Sequence, residues 1–74
     1  MTLLKGTVGN TYTVKEIDLE QITKRRLEAL GLTDGTKVTI LNKKENGSII
    51  FKVRGTRLAI GRQIADSIAL KEEL

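Results

Sequence analysis

The side chains through which this 74-residue sequence could do chemistry are its thirteen lysines and arginines, set against nine aspartates and glutamates. They gather in two places. Lys24, Arg25 and Arg26 are consecutive, and Arg54, Arg57 and Arg62 follow one another at short spacing. A guanidinium presents a planar fork of donors that suits carboxylates, phosphates or unsatisfied loop carbonyls. Arg25, Arg26, Arg54, Arg57 and Arg62 are therefore the candidate partner-binding residues. A plainer reading exists for each group. Lys24–Arg26 can be a solvated helix face, with Glu20 one turn before Lys24 for a weak ion pair. Arg57 can equally cap loop carbonyls.

Neither His nor Cys occurs, which removes the commonest general base and the thiolate nucleophile. Ser48 and Ser67 have no imidazole to activate them and read as turn and strand residues. Gly55 to Gly61 lacks both the spacing and the Lys of a phosphate-binding loop. The expectation is a non-enzymatic protein with no catalytic residue and no cofactor. Transition-metal ligands are equally scarce, because only carboxylates remain. The sole adjacent acidic pair is Glu72–Glu73, on a tail expected to fray. No tight metal site is expected on this chain alone.

A chain of this length makes one domain, residues 1–74, and buries about 60–65% of the surface it exposes when unfolded. Its core supplies about 3–5 kcal/mol of net stability. With no disulfide or zinc cluster available, that core must rest on Leu, Ile and Val packing. Met1–Val8 lacks the charged start and long apolar run of a secretory signal, and no apolar stretch reaches the ~20 residues of a membrane span. A soluble, cytoplasmic protein without membrane insertion is expected. The net charge of +4 permits an anionic partner without demanding one.

Glycine, seven times over, supplies the punctuation, since proline is absent. Gly6 and Gly9 suggest a loose N-terminal arm. Tyr12–Ile17 alternates as a strand. Asp18 reads as a helix N-cap paired with Gln21, and Ile17 and Ile22 occupy the positions of a hydrophobic staple. The spacing predicts a helix over 19–30, with Leu19, Ile22, Leu27 and Leu30 on one face and Lys24, Arg25 and Glu28 outward. Gly31 falls at the left-handed position of a Schellman motif, which lets Leu32 fold back onto Leu27. After the Asp34-Gly35 turn, Val38 and Ile40 alternate as a strand. Asn46-Gly47 then turns the chain into Ile49, Phe51 and Val53. Gly55-Thr56 reads as a type II′ turn returning through Leu58 and Ile60. A short helical turn near 62–66 and a last strand over Ser67–Leu70 complete the chain. Gly31, Gly35, Gly47 and Gly55 are the structural turn residues. The fold class is mostly β: a small antiparallel barrel of about five strands with one inserted helix, whose closure would hide the strand edges.

Two segments, Leu27–Ile40 and Phe51–Ile60, carry a further likeness. In their order and separation they resemble the FeoA family, with Arg54, Gly55, Arg57, Leu58 and Ala59 matching its Arg-Gly-x-Arg-Leu-Ala stretch. The resemblance spans about residues 6–70. It implies an SH3-like barrel and a cytosolic accessory protein of FeoB, the ferrous iron permease, which carries a cytosolic GTPase domain. The chain would then serve iron uptake by touching another protein rather than by carrying iron. Nucleotide turnover, assembly and gating are the three steps such a contact could alter. Thr56 departs from the aromatic residue many members have, which removes a candidate hot-spot side chain. Asp34 stands where a Pro or another turn residue is frequent in the family, without consequence, since Asp-Gly turns well.

Two alternatives stand beside this. A small basic barrel can bind nucleic acid, but that mode uses aromatic stacking platforms, and Tyr12 and Phe51 are the only aromatics. No strong nucleic-acid binding is expected. The chain could also be a stand-alone counterpart of the C-terminal SH3-like domain of metal-dependent repressors. Weak self-association through Ile50 or Leu74 is compatible with the pattern.

Overall fold

Alternating apolar side chains build five strands around one core. A computed structural model describes residues 1–71. The strands are β1 (Thr11–Ile17), β2 (Lys37–Lys43), β3 (Ile49–Val53), β4 (Thr56–Ile60) and β5 (Ile68–Lys71). Helix α1 (Gln21–Ala29) follows β1, and the short α2 (Arg62–Asp66) joins β4 to β5. All strand pairs are antiparallel, in the order β4-β3-β2-β1-β5. Val14, Val38, Ile40, Ile49, Phe51, Val53, Ile68 and Leu70 point inward and are buried. Val14 and Ile17 lie three residues apart yet both face the core, because a bulge between Val14 and Glu16 shifts the β1–β5 register. The expected five-stranded antiparallel architecture forms, and among the described residues β4 and β5 at its two ends are not hydrogen-bonded to each other.

The C-terminal end of α1 forms as its sequence dictates. Leu32 N–H donates to Leu27 O at 3.0 Å and Gly31 N–H to Glu28 O at 3.0 Å, the two bonds of a Schellman motif. Gly31 has φ +101°, and Leu27 and Leu32 are both buried.

The N-terminal end differs from expectation. The helix starts at Gln21 rather than residue 19, Glu20 rather than Asp18 holds the N-cap position, and no side chain caps it. Asp18 N–H instead donates to Ser67 O at 2.9 Å, which prolongs the β1–β5 pairing past Ile17 and delays the turn into the helix. The two-residue shift rotates the apolar face. Leu27 is buried and Leu19 packs on the core, but Ile22 is 67% and Leu30 51% exposed, so the staple between Ile17 and Ile22 does not form.

Four other expectations need correction. The N-terminal arm is packed, not loose: Leu3–Lys5 makes a 3-10 turn, Leu3 is fully buried, and Leu70 N–H donates to Met1 O at 2.8 Å. The β3–β4 hairpin pairs Val53 with Thr56, so Arg54 (φ +50°) and Gly55 (φ +79°) are the two central residues. Positive φ at both defines a type I′ turn rather than type II′. The last strand begins at Ile68, and Ser67 closes α2, its hydroxyl donating to Gln63 O at 3.1 Å. Ile50 is half-buried rather than exposed. The Asn46-Gly47 turn forms with a three-residue loop, Gly47 N–H donating to Lys44 O and Ser48 N–H to Asn46 Oδ1, each at 3.0 Å. The Glu72–Glu73 pair and Leu74 lie outside the described residues.

Candidate interaction surface

The five candidate arginines are all exposed, but the fold does not gather them into one site. Arg25 lies mid-way along α1 and Arg26 in its last turn. Arg54 sits at the β3–β4 turn, and its stem crosses the helix terminus: a β-carbon added to Gly31 would lie 3.0 Å from Arg54 Cδ. Arg62 opens α2 and rests on the opposite turn. There a β-carbon on Gly47 would lie 2.9 Å from Arg62 Cβ. The length of β3 separates these two residues, about 17 Å for five residues. Each stem is thus seated on a left-handed glycine, where packing accounts for its position.

Arg57 is placed differently. It stands on β4 directly opposite Lys52 of β3. Lys52 stands opposite Thr39 of β2, and Thr39 opposite Thr11 of β1. These residues form one transverse row on the outer surface, in which the Thr11 and Thr39 hydroxyls hydrogen-bond at 2.8 Å. A second row runs Lys37, Thr13, Lys71. Leu41, left without a partner by a bulge between Ile40 and Asn42, emerges beside the first row and is 38% exposed. Leu41, Lys52, Gly55 and Arg57 line a groove of about 360 Å³. A second hollow of about 540 Å³ lies between Met1, Lys15, Leu70 and Lys71.

Sequence reasoning missed Lys52 and Leu41. With the type II′ turn, Arg57 would have faced Arg54. The true turn lies one residue earlier and sets Arg57 against Lys52. Only the register reveals that pair, although the polar positions of β3 carried the signal.

Of the two aromatics, Phe51 is fully buried, while Tyr12 is half-buried with its hydroxyl engaged. Thr7 N–H donates to Tyr12 Oη at 2.8 Å, and Asn10 Nδ2 lies 3.4 Å away. The Thr7 backbone bond, with help from Asn10, lowers the Tyr12 pKa below the ordinary 10.0, because both donors favour the phenolate. Among the described residues no three carboxylates cluster closely enough to hold a metal ion. No helix there is long and apolar enough to cross a membrane.

Five short antiparallel strands wrapped on one core, with a helix inserted after the first and a basic outer surface, define an SH3-like module. Comparison with known proteins makes this specific. The FeoA domain family model matches residues 1–72, and the chain belongs to that family. It is 31% identical over 64 residues to the "Putative Fe(2+) transport protein A" of Methanocaldococcus jannaschii, covering 86% of this chain and 77% of that one. The solution structure of FeoA from Chlorobium tepidum superposes with a TM-score of 0.88 at 30% identity, over 95% of this chain and 68% of that one. Stenotrophomonas maltophilia FeoA, solved with zinc and described as a procaryotic SH3 domain protein, gives 0.81 at 26%, over 96% and 89%. A manganese-dependent transcriptional repressor shares the fold alone, with a TM-score of 0.82 at 21% identity over 92% of this chain and 39% of the repressor.

Proposed function

We propose that the protein is a cytoplasmic, non-enzymatic accessory module of ferrous iron uptake that acts by binding the cytosolic part of a FeoB-type permease. The observation that carries this reading is the family match across residues 1–72. It is supported by a relative of the same fold put forward as a ferrous iron transport activating factor. The surface suits the role. Arg25, Arg26 and Arg57 are exposed, whereas Arg54 and Arg62 have their stems packed on glycines. Surface contact is the means of action left to a chain without His or Cys, and ferrous iron is the permease's cargo rather than a resident of this chain. A nucleic-acid role fits less well, since Phe51 is sealed in the core and Tyr12 is tied to Thr7, leaving no stacking platform.

The test is a clean deletion strain assayed for radiolabelled Fe²⁺ uptake, with capture of the intact permease by the tagged protein, with and without GTP. Lowered uptake restored by the wild-type chain, together with capture of the permease, is the expected result. Normal uptake in the deletion strain overturns the reading.

A further inference from the structure

The Lys52–Arg57 pair is anomalous as sheet chemistry. Like charges directly opposite on neighbouring strands destabilise the pair, and among the described residues no acidic side chain lines the groove beside them. An apolar side chain, Leu41, sits in the same groove, turned outward where the β2 bulge takes it out of register. Gly55 also lines the groove, and a β-carbon added there would meet nothing within 4 Å, so open backbone is exposed at that point. Local rules broken without compensation among the described residues are expected at functional sites.

We propose that this groove binds an extended acidic peptide segment, with carboxylates on Lys52 and Arg57 and an apolar side chain against Leu41. Charge complementarity selects the occupant. Two cations at cross-strand spacing, with β-carbons about 5 Å apart, match carboxylates carried on a strand-like chain. The volume, about 360 Å³, is at the small end of the 300–1,000 Å³ typical of ligand clefts and holds a few side chains rather than a domain. A nucleic-acid strand is disfavoured, because no aromatic lines the groove and Leu41 offers a base no stacking surface. A bare phosphate would leave Leu41 unused. The biological source of the segment rests on the permease-docking reading above, but the groove's chemistry does not.

The test is a heteronuclear NMR titration of the whole chain with the peptide acetyl-Glu-Glu-Leu-Asp-Glu-amide. Matched arms use the same peptide with Ser for its Leu, inorganic phosphate, and a 12-nucleotide oligothymidylate. Saturable shifts centred on Leu41, Lys52, Gly55 and Arg57 are expected. Affinity should fall about tenfold in Lys52→Gln/Arg57→Gln, because two exposed ion pairs to the peptide no longer form, and stay unchanged in Lys5→Gln/Lys44→Gln, two exposed lysines outside the groove. The Ser peptide and phosphate should bind more weakly. Shifts centred on α1, no saturation, indifference to Lys52→Gln/Arg57→Gln, or oligothymidylate binding as tight as the peptide would each overturn the proposal. Both altered positions are exposed, and the spectrum itself reports that the variant is folded. Failure of the titration alongside a deletion phenotype removes only this groove. An absent deletion phenotype removes the iron-uptake role and leaves the titration result standing.

Discussion

The aliphatic stem of Arg54 lies across the α-carbon of Gly31, joining the β3–β4 turn to the end of α1. Both residues have positive φ, +50° and +101°. The glycine is therefore required twice, by its backbone and by its neighbour. Arg54 is a flexible side chain that can yield, so the backbone dominates the cost. Gly31→Ala should lose about 1–2 kcal/mol in urea unfolding, and adding Arg54→Ala should recover only a small part. Full recovery would show that crowding, not φ, holds the glycine there.

The arginines divide by what their stems touch. Arg54→Ala and Arg62→Ala should each cost about 0.5–1 kcal/mol through lost packing on Gly31 and Gly47, whereas Arg57→Ala should stay within about 0.5 kcal/mol of wild type. Urea midpoints check this directly. In permease capture the order should reverse, with charge reversal at Arg25, Arg26 or Arg57 weakening retention more than reversal at Arg54 or Arg62.

Gly6 is buried without positive φ, and its constraint is purely steric. A β-carbon there would run into Ile40 Cδ1 and lie 3.1 Å from Tyr12 Cε2. Gly6→Ala should cost about 1–3 kcal/mol by overpacking. Ile40→Val removes the offending methyl, so the double variant should be more stable than the sum of the single losses predicts, with a coupling above about 0.5 kcal/mol.

Tyr12 supplies the pH dependence. Its pKa is lowered in the folded chain by the Thr7 backbone donor first and Asn10 second. A group whose folded pKa is depressed binds fewer protons folded than unfolded within the window between the two values. Stability from this group should therefore rise through the alkaline range just below pH 10, stay present above the unfolded value, and be lost as pH falls through the folded one. Ultraviolet titration of the phenolate should give a lower midpoint folded than in urea. Tyr12→Phe should abolish both the signal and the alkaline gain.

What could be read in advance was what local chemistry decides. The Schellman end of α1 was legible because Leu27, Gly31 and Leu32 specify it among themselves. The inward set Ile49, Phe51 and Val53 was legible because period-two alternation needs no knowledge of the partner strand. The start of α1 was not, because Asp18 is engaged by Ser67, a residue nearly fifty positions away. Gly6 was misjudged for the same reason, since Ile40 is what makes it necessary. Within the interaction surface, the arginines were visible as residues but not as roles. Only tertiary placement seats Arg54 and Arg62 on glycines, and only strand register sets Arg57 against Lys52.

Strand β1 has its two neighbours at very different distances along the chain, β2 soon after it and β5 at residues 68–71. During synthesis the ribosome delivers β1 early, and one of its flanks stays bare until the far end of the described chain has emerged. Cooperative folding must therefore wait for translation to pass that point, and a nascent chain stalled short of Ile68 would expose the bare flank of β1 to chaperones and proteases.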